Sequence, residues 1–229
     1  MSFFQGFRPQ LRFFLGDLAS HNNKLWFREQ EHRFQEEVIQ PLQEFTTALG
    51  KKLANQHSNF RFDPAYNGRG SILPLERDDP KKPYKTMLDT VIWLDYSDKP
   101  LENAGVYFHL DQNQALLYAG LPAFSPALLA QYRSKVMDKE IAKDLHHLLD
   151  QLEGQGLTTG LAVFTELPAG FEPTHEFKDL LLMGSLWARS KPIENFVLET
   201  PELLDTCLDF YESARPLLEW METHLHKNL

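Results

Sequence analysis

Ten consecutive residues of this 229-residue chain gather most of its concentrated polar chemistry: Arg77-Asp78-Asp79-Pro80-Lys81-Lys82-Pro83-Tyr84-Lys85-Thr86. Arginine grips a carboxylate or phosphate with two parallel hydrogen bonds, and lysine acts as a point charge. Arg77, Lys81 and Lys85, with Arg69 upstream, therefore form a candidate anion site in which Asp78 orients a cation. Pro80 and Pro83 lower the entropy lost when such a turn is ordered. The competing reading is a solvated turn whose lysines pair with Glu76, Asp78 and Asp79, since exposed ion pairs are common and weak.

His109 is the second candidate. In Val106-Tyr107-Phe108-His109-Leu110, strand alternation points Tyr107 and His109 to one face and the apolar residues to the other. If the apolar set meets the core, Tyr107 and His109 line the opposite face, where a cleft would form. A histidine titrates near neutrality, so His109 is a candidate general acid or base, with Tyr107 and Tyr84 supplying proton transfer or orientation. The plainer alternative is a structural or solvent-facing histidine. Adjacent His146 and His147 point to different sides of a helix, and no set of histidines and carboxylates has metal-ligand spacing, so neither a metal nor another cofactor is expected.

Asn22-Asn23-Lys24-Leu25-Trp26-Phe27 is the third. Asn23 suits a helix cap, with Trp26 and Phe27 as core anchors. In the functional reading, Asn23 and Trp26 form one wall of a ligand pocket.

Other chemistries are disfavoured. The chain has no Gly-rich phosphate loop, no Gly-x-Gly-x-x-Gly, no His-Glu-x-x-His and no Gly-x-Ser-x-Gly. A formal net charge of −9 repels phosphate backbones, which argues against nucleic acid as a partner. The single cysteine, Cys207, excludes an intrachain disulfide and fits a reducing compartment. The N-terminus lacks a basic start followed by a long apolar run, and no segment approaches the ~20 apolar residues needed to cross a bilayer. A cytoplasmic protein without membrane association is the expectation.

The elements that must position these residues can be read from periodicity. Residues 11–19 predict a short helix. Phe27, Phe34, Val38, Leu42, Phe45 and Leu49 recur on one helical face, with Pro41 set to kink or split it. Residues 72–75 and 90–96 predict strands, and 105–110 with 115–119 a hairpin about Asp111-Gln112-Asn113-Gln114. Ser125-Pro126 opens a helix, and Asp138 caps another. Residues 160–167 predict a strand, 167–171 a loop, 177–188 a helix and 193–198 a short strand. A last helix follows Thr200-Pro201, with Pro216 as a possible kink. Helices around a block of strands with an adjacent hairpin predict α+β architecture, a largely antiparallel sheet flanked by helices. No Gly-, Ser- or Pro-rich linker divides the chain. The expectation is a single domain over 1–229, helical at about 11–55, strand-rich at about 60–120 and mixed at about 125–225.

Taken in order, these segments resemble a family of bacterial and fungal conserved proteins catalogued as domain of unknown function 2461. The matching pieces are Phe14-Leu15 with Leu18, Asn22-Asn23 and Trp26-Phe27; Arg77-Asp78; Lys81 with Pro83-Tyr84-Lys85-Thr86; Gly105 to Leu110 of the hairpin; Ala119-Gly120-Leu121 and Arg133; and Leu167-Pro168-Ala169-Gly170-Phe171 with His175. The resemblance implies a fold and a shared surface, and no reaction. The family pattern usually carries an Arg-Phe-Ser-type insert before the lysine of this segment, where this chain has only Asp79-Pro80. A ligand served by that arginine would be bound differently here.

Two functions follow as expectations. One is a binder of, or enzyme acting on, a small anionic ligand, held by Arg77, Lys81 and Lys85 and walled by Asn23 and Trp26. The other is a non-catalytic protein-interaction module. The first requires Arg77, Lys85 and His109 to meet around one hollow. The second spreads them over a flat patch.

Overall fold

The N-terminal apolar stripe folds as its spacing predicts. The computed structural model describes residues 4–95, 102–160, 163–167 and 176–226. It opens with α1 (Pro9–Ser20), α2 (Lys24–Glu29) and α3 (Glu31–Arg33). A π-helical segment, Phe34–Ile39, then leads into α4 (Gln40–Gln56). Pro41 lies in the first turn of α4, with the π-helical segment immediately before it. Its ring would crowd the carbonyl of Glu37 in a regular helix, and the widened π turn relieves that clash. Leu11, Phe14, Leu15, Leu18, Phe34, Val38, Leu42, Phe45 and Leu49 are all buried.

The strands are β1 (Phe60–Arg61), β2 (Met87–Leu94), β3 (Gly105–Asp111), β4 (Ala115–Leu121), β5 (Thr158–Thr159) and β6 (Leu186–Arg189). They form a six-stranded sheet in the order β1-β2-β3-β4-β6-β5, with every pairing antiparallel. The remaining helices are α5 (Pro126–Val136), α6 (Lys139–Gly154), α7 (Lys178–Leu181), α8 (Asn195–Leu198) and α9 (Glu202–Met221), the last running into a π-helical turn, Glu222–His226. The protein is α+β, with helices flanking a largely antiparallel sheet.

Cap chemistry sets several boundaries. The Ser125 hydroxyl accepts the Leu128 N–H at 3.3 Å, and the Asp138 carboxylate accepts those of Glu140 and Ile141 at 3.0 and 3.3 Å. Asp111 accepts the Asn113 and Gln114 N–H groups at 2.7 and 2.9 Å, which closes the β3–β4 turn.

The sheet has two unlike faces. Leu88, Ile92, Val106, Phe108, Leu110, Leu117 and Ala119 point to the inner face, which α4 and α9 cover. Phe108 packs there against Phe45 and Phe7, with ring centroids 4.7 and 5.5 Å apart. The outer face carries the alternate residues: Asp89 opposite His109, Tyr107 opposite Tyr118, Tyr118 opposite Arg189 and Gly120 opposite Trp187.

The cationic segment is the tip of an irregular antiparallel hairpin on the outer edge of β2. Leu73 N–H donates to Asp89 O and Val91 N–H to Ser71 O, at 2.9 Å each. Farther out, Lys85 N–H reaches Leu75 O at 2.7 Å and Arg77 N–H reaches Pro83 O at 2.8 Å. The predicted strand at 72–75 thus exists as one bridge, Ile72 to Thr90, and this loose ladder.

Four expectations change. Residues 177–188 hold only the short α7 before β6, because Gly184 interrupts the helix and Leu186 and Ala188 alternate into the core beside β4. Residues 193–198 contain α8, begun by Val197 and Leu198 N–H groups bonding to Glu194 O, and only Ile193 makes a sheet-like bond, to Ala115 O at 2.9 Å. Of the strand predicted at 160–167, residues 160 and 163–167 are not strand and 161–162 lie outside the described residues, the neighbouring strand being β5 at 158–159. Strand β2 starts three residues before the predicted Thr90. Its predicted end at Tyr96, the Pro168 to Phe171 loop and His175 lie outside the described residues.

Candidate functional site

A hollow of about 250 Å³ opens on the outer face of the sheet. Asp89, His109, Tyr107, Tyr118 and Trp187 line it, and Leu73 closes it at the β2 edge. Strands β2, β3, β4 and β6 contribute by the same alternation that buries their other residues in the core. Gly120, also in the lining, has φ +121°, a conformation suited to glycine. A Cβ there would stand 2.2 Å from the Leu186 carbonyl oxygen, so this glycine lets β6 lie close enough to bring Trp187 to the hollow. The Tyr118 and Trp187 rings meet edge to face, centroids 5.7 Å apart.

The polar pair of the hollow is His109 and Asp89. Register sets them directly across from each other, and His109 Nδ1 lies 2.7 Å from Asp89 Oδ1. Nε2 stands 4.0 Å from Asp111 Oδ2. The hydrogen bond to Asp89 raises the His109 pKa above the ordinary histidine value. Burial opposes that rise, and the charges of Asp89 and Asp111 add to it. The carboxylate thus fixes the ring and favours its charged form, an arrangement suited to exchanging a proton with a bound molecule. Tyr107 is a wall. Its hydroxyl donates toward the Asn103 carbonyl at 3.4 Å, and burial pushes the phenol well above its usual range, so it keeps its proton.

The other residues singled out from the sequence do not line this hollow. Asn23 caps α2, accepting the Trp26 N–H at 3.0 Å. Trp26 stacks on His21 at 5.6 Å and packs against Phe14. Tyr84 stacks on Phe27 with centroids 4.1 Å apart, and the Asn22 amide clamps its backbone, donating to Tyr84 O at 2.8 Å and accepting Tyr84 N–H at 3.0 Å. These contacts anchor the hairpin to the N-terminal helices. Tyr66 adds a second anchor, accepting Leu75 N–H at 3.1 Å and donating to Glu76 at 3.2 Å, and burial raises its phenol to about 12.

Arg77, Asp78 and Lys81 are exposed at the hairpin tip. Among the described residues no ion pair joins Arg77, Lys81 or Lys82 to Glu76, Asp78 or Asp79; Asp79 instead accepts the Lys81 backbone N–H at 2.9 Å. Half-buried Lys85 turns back and donates its ammonium to Pro74 O at 3.1 Å, one residue from Leu73. The expected meeting of Arg77, Lys85 and His109 around one hollow therefore does not occur. The ladder carries the tip beyond the sheet edge, and only the base of the hairpin reaches the site.

Asp89, Tyr118 and Trp187 are lining residues that sequence reasoning missed. Asp89 was legible once β2 is started at Met87, because it is the polar member of an alternating run. Trp187 was hidden by the helical reading of its segment.

Two larger grooves lie elsewhere, one between α4 and α9 near Lys51 and Leu204 and one beside α1 near Arg12 and Phe13; neither contains a histidine. Among the described residues no three His, Cys, Asp or Glu side chains are grouped to hold a metal ion. No helix there is long and apolar enough to cross a membrane.

Fold and site together define an α+β protein with an aromatic hollow and a hydrogen-bonded His109–Asp89 pair on the outer face of its sheet. The chain belongs to the family of conserved hypothetical proteins DUF2461, whose family model matches residues 10–220. No curated protein and no solved structure matches the chain.

Proposed function

We propose that the protein binds a small organic molecule in the outer-face hollow and that His109, oriented by Asp89, exchanges a proton with it. The observation that carries this reading is the 2.7 Å Asp89–His109 pair at the wall of a preformed aromatic cavity. Ligand sites are typically concave and mostly apolar, with few convergent polar groups. At about 250 Å³ the cavity lies just below the usual range of roughly 300–1,000 Å³ for drug-sized ligands, so the ligand is small. A flat body suits Tyr107, Tyr118 and Trp187. A small anion remains the proposed class. The reading carries a cytoplasmic location with it, because a chain with one cysteine needs no oxidising compartment.

A second reading, a protein-interaction module, draws on the unpaired cations of the hairpin tip and on Phe13 and Phe196, 64% and 66% exposed. A thermal-shift screen of small organic acids, sugar phosphates and nucleotides separates the two. Stabilising hits should vanish in Leu73→Trp, whose indole fills the hollow, and persist in Arg77→Ala. Hits indifferent to Leu73→Trp would remove the hollow from consideration, and a blank screen favours the interaction reading.

A further inference from the structure

The arginines of this chain divide cleanly, with one exception. Arg33 pairs with Asp17 and Glu37, Arg61 with Asp95, and Arg215 with Glu212 and Glu219. Arg12 donates to Gln112 O, and Arg133 donates to Leu181 O and covers the Phe164 ring. Arg8, Arg28, Arg69 and Arg77 lie in solvent. Arg189 alone is half-buried without a partner for its guanidinium among the described residues, and its Nε is fully buried and unbonded. A buried donor left unpaired costs stability, so it calls for an explanation.

Its place in the sheet supplies one. Arg189 is directly opposite Tyr118 and two residues from Trp187, on the outer face with both of these lining residues. It lies in the transverse row Val91, Tyr107, Tyr118, Arg189, Thr158, between Tyr118 of β4 and Thr158 of β5. His109 stands two strands away on β3, a lateral spacing of roughly 10 Å. Protonated His109 is matched by Asp89 at 2.7 Å, and Asp111, 4.0 Å from its Nε2, leaves that end of the site with one carboxylate in excess, so an anionic group is favoured at the opposite end. Arg189 does not itself line the hollow, but it stands beside two residues that do, Tyr118 and Trp187, and no described carboxylate pairs with it, so a ligand reaching past Tyr118 would meet positive charge.

We propose that Arg189 is the anion anchor of the hollow and that the ligand is a small planar monocarboxylate with a second, proton-bearing group. The carboxylate lies on Arg189, the flat body lies among Tyr107, Tyr118 and Trp187, and the second group faces His109. This rests on the proposed use of the hollow, and it moves anion recognition from Arg77, Lys81 and Lys85 to a residue on another strand. A guanidinium fork matches a carboxylate bidentately, and its bonds strengthen away from water.

The test is calorimetric titration of the full chain with 4-hydroxybenzoate and its neutral amide, 4-hydroxybenzamide. The wild type should prefer the acid by at least tenfold. Arg189→Met should abolish that preference by weakening the acid far more than the amide, and Arg77→Ala/Lys81→Ala should preserve it. Should Arg189→Met fail to fold, Arg189→Lys keeps the charge, loses the fork and should cut the preference several-fold. Acid preference surviving the Arg189 variants, or lost in Arg77→Ala/Lys81→Ala, overturns the anchor and leaves the hollow reading intact. Amide binding without acid preference in the wild type does the same. Binding of neither probe to the wild type overturns the anchor and the hollow together.

Discussion

The two faces of one sheet follow opposite rules. On the inner face Val106, Phe108 and Leu110 are buried against helices in the hydrophobic core. On the outer face the intervening residues, Tyr107 and His109, stand beside Asp89, Tyr118 and Trp187 around a cavity. The polypeptide, strand register and turn are shared, so the difference comes only from which way alternate side chains point. The inner face carries the larger share of the packed core, while the outer face combines buried Val91 and Leu116 with groups that do not improve packing. Substitutions on the two faces should then have separable effects, and the predictions below set out to break that separation.

The largest effect belongs to the inner face. Phe108→Ala removes a ring held between Phe7 and Phe45 and should cost about 3–5 kcal/mol in urea unfolding. Trp187→Ala, from the outer face, should cost clearly less while reducing binding of any hollow ligand. Equal destabilisation by both would mean that the outer face is also core.

Next comes the hairpin clamp. Asn22→Ala removes both hydrogen bonds to the Tyr84 backbone and should lower stability by roughly 1–3 kcal/mol, with faster amide exchange at residues 75–85. Loss of stability without that local signature would show that Asn22 supports something other than the hairpin.

What was legible in the sequence follows the same division. The β3–β4 hairpin could be read because alternation and a turn-forming Asp111 agree locally. The helices α5 and α6 could be read from Ser125 and Asp138, whose caps act within three residues. Strand β6 could not, since Leu-Trp-Ala-Arg has no strong local preference and becomes a strand only by pairing with β4. The same holds for the site. His109 and Tyr107 were found from one strand's alternation, whereas Trp187 and Arg189 join them only through long-range register. The cationic segment drew attention by composition, but composition does not reveal that Asn22 and Tyr66 hold the hairpin that carries it. Asn22 and Asn23 look alike in sequence, yet one clamps a distant strand and the other caps its own helix.

The pH dependence of His109 yields a smaller, signed effect. Its folded-state pKa is raised, chiefly by the Asp89 hydrogen bond, so the native state holds the proton more tightly than the unfolded chain. The Asp89–His109 contribution is fully present below the unfolded value of about 6.5 and fades as pH rises through the higher folded value. The stability advantage of wild type over His109→Gln should therefore shrink between about pH 6.5 and alkaline pH. The His109 ring should titrate by NMR above the value of a denatured control. A lower midpoint would mean that burial outweighs Asp89.

Substitutions of unpaired cations should have the smallest effects on folding, and they sharpen the comparison most. Arg77→Ala removes an exposed side chain and should change stability by no more than about 0.5 kcal/mol. Arg189→Met is more telling, because the residue is half-buried and an ordinary structural arginine at such a place would be missed. Here the guanidinium has no partner among the described residues, and removing a buried donor that is already unsatisfied costs no hydrogen bond, so replacement by an apolar chain of similar length should be neutral or stabilising. The thermal midpoint of the ligand-free variant should match or exceed that of wild type, whereas Arg133→Met, which breaks a bond to Leu181 O, should lower it. If Arg189→Met is the more damaging of the two, then the guanidinium holds the sheet together, and the outer face does structural work at the point where a ligand carboxylate was expected.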